Sequence, residues 1–361
     1  MKAYIVEQDR LRANAAALME LAGDAAVYGV VKGDGYGLGL LPLSSLLWDC
    51  GIRRLAVTEV HEARALRERF PEAEILMLRE TGLPEEITQL MEAGAVLTVG
   101  SPETAQAVSR AAEVQGNACP CHVKIDTGMG RYGFFPEDLD GIAAIYDDPN
   151  LAVQGIYTHF HSAFSDEKAT RAQFEAFQQA LAGLEQRGIR PGLRHCCNSS
   201  AFLQYPEMRL DGVRLGSALL GRLSFSGAEG LQRVGWCEAQ VEVVRTIPKG
   251  HTVGYAAGWR AKRNTTIAVC NVGYFHGFGE DTKNDLYRFT DSLVAALSPI
   301  KAFLTRKSLW VTVNGTPARV LGHVGMVQTV FDVTDVPCRV GDPIRLEIKP
   351  LAVKDMEIIY R

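Results

Sequence analysis

None of the eight cysteines forms a Cys-x-x-Cys pair, which argues against a zinc ribbon and against a disulfide framework. Cys50, Cys119, Cys121, Cys196, Cys197, Cys237, Cys270 and Cys338 therefore read as reduced thiols of a cytosolic protein. Neither sign of charge dominates. The 38 Lys and Arg stand against 42 Asp and Glu, a formal net charge of -4, so there is no basic field for nucleic acid or for an anionic membrane. No apolar run approaches the roughly 18 residues of a membrane span. The opening Met-Lys-Ala-Tyr-Ile-Val-Glu-Gln-Asp-Arg lacks the apolar core of a signal peptide. No sequence repeat, low-complexity tract or metal-ligand cluster stands out. What is present is an ordinary globular composition, 47% hydrophobic and 22% charged over 361 residues, enough chain for two domains.

The first two thirds alternate short apolar runs with amphipathic stretches. Strand candidates are Ala26–Lys32, Arg54–Thr58, Glu74–Leu78, Ala95–Val99, Cys121–Asp126, Val153–His159, Leu193–Cys197 and Met208–Arg214. Between them Glu59–Phe70, Pro102–Gln115, Pro136–Tyr146 and Glu167–Arg187 carry apolar residues at three- and four-residue steps, with Pro102 and Pro136 suited to a first helical turn. This alternation predicts a (β/α)8 TIM-type barrel over residues 1–233. An open doubly wound sheet is the competitor, but no Gly-x-Gly-x-x-Gly follows the first strand. Residues 234–361 read as a mostly β C-terminal domain, with runs Ala239–Thr246, Thr265–Val272, Trp310–Asn314 and Ala318–Leu321 and a hairpin turn at Asn314-Gly315. The first ~10 residues are candidates to pack with that domain. An insertion at 276–308 interrupts it, with Asp291–Leu304 patterned as a helix.

In a barrel of this kind the active site lies at the C-terminal ends of the strands. Lys32 ends the first strand and enters the glycine-rich run Gly33-Asp34-Gly35-Tyr36-Gly37. Partial desolvation there lowers the pKa of an amine and frees its lone pair, as a Schiff-base lysine requires. The fifth strand ends in Lys124-Ile125-Asp126-Thr127-Gly128-Met129-Gly130-Arg131, the sixth in Thr158-His159-Phe160-His161, the seventh in Asn198-Ser199-Ser200 and the eighth in Arg214-Leu215-Gly216-Ser217. Each has an ordinary alternative: a solvated lysine, a satisfied core histidine, a helix cap at Asn198-Ser199. Their common placement on one rim favours a site. The seventh and eighth loops are also where barrels bind phosphate, through Asn198-Ser199 and the amides of Gly216-Ser217. A reactive lysine beside a phosphate cradle suggests pyridoxal 5'-phosphate.

These segments resemble the alanine racemase family, a group of pyridoxal enzymes built from a barrel and a β domain. The resemblance runs nearly end to end. It rests on Val31-Lys32-Gly33-Asp34-Gly35-Tyr36-Gly37, Asp126-Thr127-Gly128-Met129-Gly130-Arg131, Thr158-His159-Phe160, Asn198-Ser199, Asp211-Gly212-Val213-Arg214, Val253-Gly254-Tyr255 and, more loosely, Gly322-His323-Val324-Gly325-Met326. It implies interconversion of L- and D-alanine by two bases, Lys32 on one face and Tyr255 of a partner subunit on the other, in a cytoplasmic homodimer with shared active sites. It further implies that Tyr36, Ser199, Gly216 and Ser217 hold the cofactor phosphate, the last two by backbone, with Asn198 also among the cofactor-binding residues, and that Arg214 faces the pyridine nitrogen. His159 would join Tyr255 to Arg214. Arg131 and the Met326 amide would bind the substrate carboxylate. Lys124 matches a lysine that is often carbamylated.

The chain departs from the family pattern at several places. Gly-Asp-Gly replaces Ala-Asn-Ala after Lys32, Val327 stands for an aspartate, Leu215 for a proline, and Val353 falls where some members have a tyrosine. Alternatives are therefore a racemase of serine or another small amino acid, a barrel-type pyridoxal decarboxylase or aldolase, and a pyridoxal carrier. Arg214 opposite the ring nitrogen argues against a decarboxylase, and the domain carrying Tyr255 argues against a carrier.

Overall fold

The computed structural model describes residues 2–223, 225, 230–279 and 308–361. The chain divides into two compact units, Glu7–Val234 and Met1–Val6 with Gly235–Arg361. The first strand, β1 (Ala3–Val6), belongs to the second unit. The first unit holds β2 (Ala26–Val30), β3 (Arg54–Val57), β4 (Glu74–Met77), β5 (Leu97–Val99), β6 (Cys119–Lys124), β7 (Leu151–Tyr157), β8 (Leu193–His195) and β9 (Gly212–Leu215).

These eight strands pair in parallel in the order β4-β3-β2-β9-β8-β7-β6-β5. A parallel bridge between Leu76 and Val96 joins the two ends, with Val96 N–H donating to Ile75 O (2.8 Å) and Met77 N–H to Val96 O (2.9 Å). The sheet is thus the closed (β/α)8 barrel that the alternation predicts. Helices form where the caps permit. Ser101 accepts from Thr104 N–H ahead of Pro102, and Asp166 accepts from Ala169 N–H ahead of Glu167–Gln186.

Three expectations are corrected. The helix expected from Pro136 begins at Leu139, because Asp138 captures Gly141 N–H (3.0 Å) and fixes the N-cap there. The strand expected from Met208 begins at Gly212. Met208 lies in the 3-10 turn Pro206–Met208, where its carbonyl accepts from the Cys196 and Cys197 thiols (3.0 and 3.1 Å). Lys32 does not end the first strand. β2 stops at Val30, and Lys32 opens a turn in which Gly33, Asp34, Gly35 and Tyr36 all have positive φ (51–64°). Four successive left-handed residues are rare, since each side chain there costs about 1–2 kcal/mol. Glycine at 33 and 35 removes that cost at two of the four.

The second unit is a mostly β fold. It adds β10 (Gly235–Ile247), β11 (Thr252–Val253), β12 (Trp259–Arg260), β13 (Thr265–Cys270), β14 (Trp310–Val313), β15 (Thr316–Arg319), β16 (Thr329–Asp332), β17 (Pro343–Leu346) and β18 (Glu357–Tyr360). The main sheet runs β15-β14-β17-β10-β1-β18, with β13 pairing both β10 and β16. β10 shifts register between Val241 and Val243, a bulge that lets one long strand serve several partners. Asn314 and Gly315 (φ 46° and 80°) close a two-residue hairpin with Val313 opposite Thr316. The expected helix Asp291–Leu304, and the insertion at 276–308 except for 276–279 and 308, lie outside the described residues. Among the described residues no helix is long and apolar enough to cross a membrane.

Candidate active site

The C-terminal rim of the barrel encloses a cavity of about 340 Å³. Its lining includes Lys32, Tyr36, Lys124, Arg131, His159, Asn198, Ser199, Arg214, Gly216 and Ser217, so the barrel's candidate residues all meet in one place. Tyr255 and Met326 belong to the second unit and are described below.

Lys32 is the freest of the group: its amine has no hydrogen-bond partner among the described residues. Burial, and then the nearby Arg131 and Arg214, lower its pKa from the usual lysine value. At the other end of the left-handed turn, the Tyr36 hydroxyl occupies the space that a Cβ on residue 216 would need, so glycine at 216 lets the ring lie where it does. The Ser199 hydroxyl accepts from Gly216 N–H (3.1 Å) and Ala218 N–H (3.2 Å), drawing two backbone amides and a hydroxyl together. Asn198 reaches the cavity, but its side chain is committed elsewhere. Its Oδ1 caps the helix Ser199–Gln204 through Ser200 N–H and Ala201 N–H, and its Nδ2 donates to Phe160 O (3.2 Å). In this structure the amide is engaged in capping that helix.

Arg214, 3% exposed, is held from several sides. Nη1 donates to His195 Nδ1 (2.7 Å), and Nη2 donates to Thr158 O (2.7 Å) and Cys196 O (3.2 Å), with His159 Nδ1 at 3.4 Å. Nε has no partner among the described residues. A guanidinium only donates, so His195 Nδ1 must accept. His195 Nε2 then carries the proton and donates to His122 Nδ1 at 2.9 Å. Burial and the Arg214 charge hold both imidazoles neutral, with His122 lowered to about 3 and His195 well below its usual value. His159 is lowered in the same way by burial and by Arg214. Tyr157 stacks on His195 (ring centroids 4.7 Å apart) and bonds Thr98 Oγ1 (2.8 Å) and Leu78 O (3.2 Å).

Lys124 is nearly fully buried and donates to Ile125 O (2.7 Å). Burial, reinforced by Arg214, brings its pKa down to about 7, so much of the amine is neutral at physiological pH. Asp126 shapes the loop that follows. Burial alone would raise its carboxyl, but N–H donors from Gly128 and Gly130 and the charge of Lys124 outweigh that and hold it below the usual range. Arg131 ends the loop, exposed, with its guanidinium over the Tyr132 ring at 4.8 Å.

Sequence reasoning missed Tyr132, Tyr157, His195 and His122. Each buried histidine, seen alone in an apolar run, reads as core.

In the second unit Tyr255 lies in the turn after β11, where Gly254, Ala256 and Ala257 all have positive φ. A Cβ on Gly322 would strike Val253 O, so this turn packs tightly against the loop Gly322–Gln328. That loop is anchored by Tyr274 N–H to Gly325 O (3.0 Å) and Phe275 N–H to Met326 O (2.9 Å). Tyr255 and Met326 therefore sit in adjoining loops, exposed by 74% and 54%, with Val327 exposed beside them. The Met326 N–H has no partner among the described residues.

A closed parallel barrel with an unpartnered lysine on its rim, followed by a mostly β unit, defines the class of protein. The N-terminal domain profile of alanine racemases matches residues 6–224, and the C-terminal domain profile matches residues 234–356. The chain belongs to the alanine racemase family. It is 32% identical to the alanine racemase of Desulforamulus reducens over 336 residues, 91% of this chain and 84% of that one. Alanine racemase from Streptomyces coelicolor A3(2) superposes with a TM-score of 0.83 at 26% identity, covering 99% of this chain and 97% of that one. The Bartonella henselae alanine racemase, solved with covalently bound pyridoxal phosphate, shares the fold at 22% identity, with a TM-score of 0.82 over 100% of this chain and 99% of that one.

Proposed function

We propose that this chain is a pyridoxal-phosphate-dependent amino-acid racemase that interconverts L- and D-alanine. The observation that carries the reading is the Lys32 amine, unpartnered and of lowered pKa, facing the same cavity as the buried Arg214. The donor set suits the cofactor: a lysine able to attach it, a hydroxyl with backbone amides for its phosphate at Ser199, Gly216 and Ser217, and Tyr36 against Gly216. Asn198 contributes by holding that segment.

Bound through Lys32, pyridoxal phosphate supplies the electron sink that makes a substrate α-hydrogen acidic. Lys32 then takes or returns a proton at its Nζ on one face. The Tyr255 hydroxyl of a partner subunit does so on the other, and inversion follows from the opposed positions of the two bases. Arg214, with its Nε–H free among the described residues, would face the ring nitrogen. Because a guanidinium keeps its proton, Arg214 would leave that nitrogen unprotonated and moderate the sink. His195, itself supported by His122, fixes the guanidinium plane. His159, kept neutral, lies within reach of Arg214 and is available to the tyrosine. Arg131, and from the partner loop that adjoins its Tyr255 the free Met326 N–H, would bind the carboxylate. Lys124, largely neutral near pH 7, is able to take up carbon dioxide as a carbamate. The functional unit in this reading is a homodimer with shared sites, working in the cytosol, and the eight free thiols agree with that compartment.

The same residues would serve serine or another small amino acid. Val327, exposed beside Met326 where the family usually has aspartate, is the observation that keeps this second reading. Chiral chromatography after incubation with L-alanine, L-serine and larger amino acids decides between them. Fastest formation of D-alanine is the expected result, and no D-product from any substrate would overturn racemisation.

A further inference from the structure

We propose that Glu62 is a positioning residue for Lys32: its buried carboxylate clamps the left-handed turn that Lys32 opens and is the negative charge that acts on the Lys32 amine. The proposal rests on Lys32 being the reactive lysine.

Glu62 lies in the first turn of the helix Val60–Arg69 and is 1% exposed. Its Oε2 accepts from Thr58 N–H (3.2 Å) and Glu59 N–H (3.3 Å), just past the end of β3. Its Oε1 accepts from Asp34 N–H (2.9 Å), in the middle of the left-handed turn after β2. Capping the helix requires only the Glu59 bond. The bond to Asp34 serves nothing in the helix and joins two rim loops.

The turn needs such a tie. Asp34 and Tyr36 are left-handed although neither is glycine, and such backbone persists only where its surroundings over-determine it. The Asp34 side chain helps from within by accepting Leu40 N–H (2.7 Å). Lys32 and Tyr36 stand at the two ends of the turn, so a shift of its centre moves the amine and the hydroxyl together.

The charge argument is separate. The ionisable groups on the cavity facing Lys32 are Arg131, Arg214, Lys124, His159, Tyr36, Tyr132 and Tyr157. Arg131 and Arg214 oppose a proton on the Lys32 amine, and Glu62 is the carboxylate that favours one. Glu62 thereby keeps the amine from losing its proton too readily beside the two guanidinium groups.

The test uses the full chain as wild type, Glu62→Gln and Glu62→Ala. It measures hydrogen exchange of the segment 32–38, and labelling of Lys32 by an amine-reactive reagent across pH, read by peptide mass. In Glu62→Ala the turn amides should exchange at least about tenfold faster while β2 and β3 stay protected. In Glu62→Gln, which keeps the shape and a carbonyl acceptor, the Lys32 labelling midpoint should fall by roughly half a pH unit or more. A glutamate with only a structural role would leave that midpoint in place. An unmoved midpoint in Glu62→Gln therefore overturns the charge role, and unchanged turn exchange in Glu62→Ala overturns the clamp. If Glu62→Ala does not fold, Glu62→Met, which fills the space but offers no oxygen acceptor, takes its place in the exchange measurement. Adding pyridoxal phosphate to the wild type and trapping it with borohydride checks the underlying reading. Attachment at another lysine would refute the cofactor assignment while leaving the Glu62 measurements to stand on their own.

Discussion

The two units hold their candidate residues in opposite ways. In the barrel, Arg214 is buried and gripped by His195, Thr158 and Cys196, and its principal imidazole partner is itself supported by His122. In the second unit the backbone is the constrained part. Gly254, Ala256 and Ala257 hold positive φ, while the Tyr255 side chain stands 74% exposed. One site is fixed by side-chain bonds in a low-dielectric interior, where every unmade bond is costly. The other is aimed by its loop and left bare. Mutations in the first should damage fold and chemistry together, whereas mutations in the second should damage chemistry alone.

Arg214→Leu should show the largest effect. It strands the His195 Nδ1 acceptor and the Thr158 carbonyl in the barrel, and a loss of about 3–5 kcal/mol is expected by urea unfolding, together with loss of racemisation. A variant as stable as wild type would mean that the interior network is not the support described here. Tyr255→Phe comes next and probes the other side. Stability should stay within about 0.5 kcal/mol, while racemisation falls by roughly 10²–10⁴-fold. In deuterated water, α-hydrogen exchange should disappear from one enantiomer only. Wild-type racemisation by this variant would remove tyrosine from the two-base scheme.

Lys124→Met sharpens the comparison through pH. Burial and Arg214 depress this amine from 10.5 to about 7 in the folded chain. Between those values the unfolded chain binds more protons, so wild-type stability rises with pH across the window. The burial penalty is complete below pH 7 and gone above about 10.5. Lys124→Met should therefore be more stable by about 2–4 kcal/mol at pH 6–7, with the gain vanishing toward pH 10.5. A pH-independent difference between the two unfolding curves would contradict the depressed amine. The smallest effect belongs to the β unit. Gly315→Ala places a methyl at φ 80° with open space around it, so only backbone strain is at stake. A loss of about 1 kcal/mol in thermal unfolding is expected, with racemisation unchanged.

Much of the barrel was legible because each strand is a short apolar run ended by polar rim residues. Errors fell where a local bond competes with periodicity. Asp138 starts a helix that Pro136 was expected to start, and the carbonyl at Met208, bonded by two thiols, delays β9. The rim loops were readable because lysine, arginine and histidine beside glycines stand out from their surroundings. The layer beneath them was not. His122, His195 and Tyr157 acquire meaning only when parallel pairing sets β6, β7 and β8 side by side. Glu62 looks like an ordinary capping residue until the turn after β2 is seen to be left-handed. Asn198 carries both readings at once: it lines the cavity, and its side chain caps the helix that follows.

The placement of β1 bears on how the chain is made. Ala3–Val6 pairs antiparallel with β10 and parallel with β18, so both of its neighbours are translated after the whole of Glu7–Val234. The barrel segment can close on the ribosome as it emerges, because domains fold from the N-terminus during synthesis. The first strand cannot. It waits unpaired until β10 emerges behind the barrel segment, and its second edge is covered only when the last strand arrives.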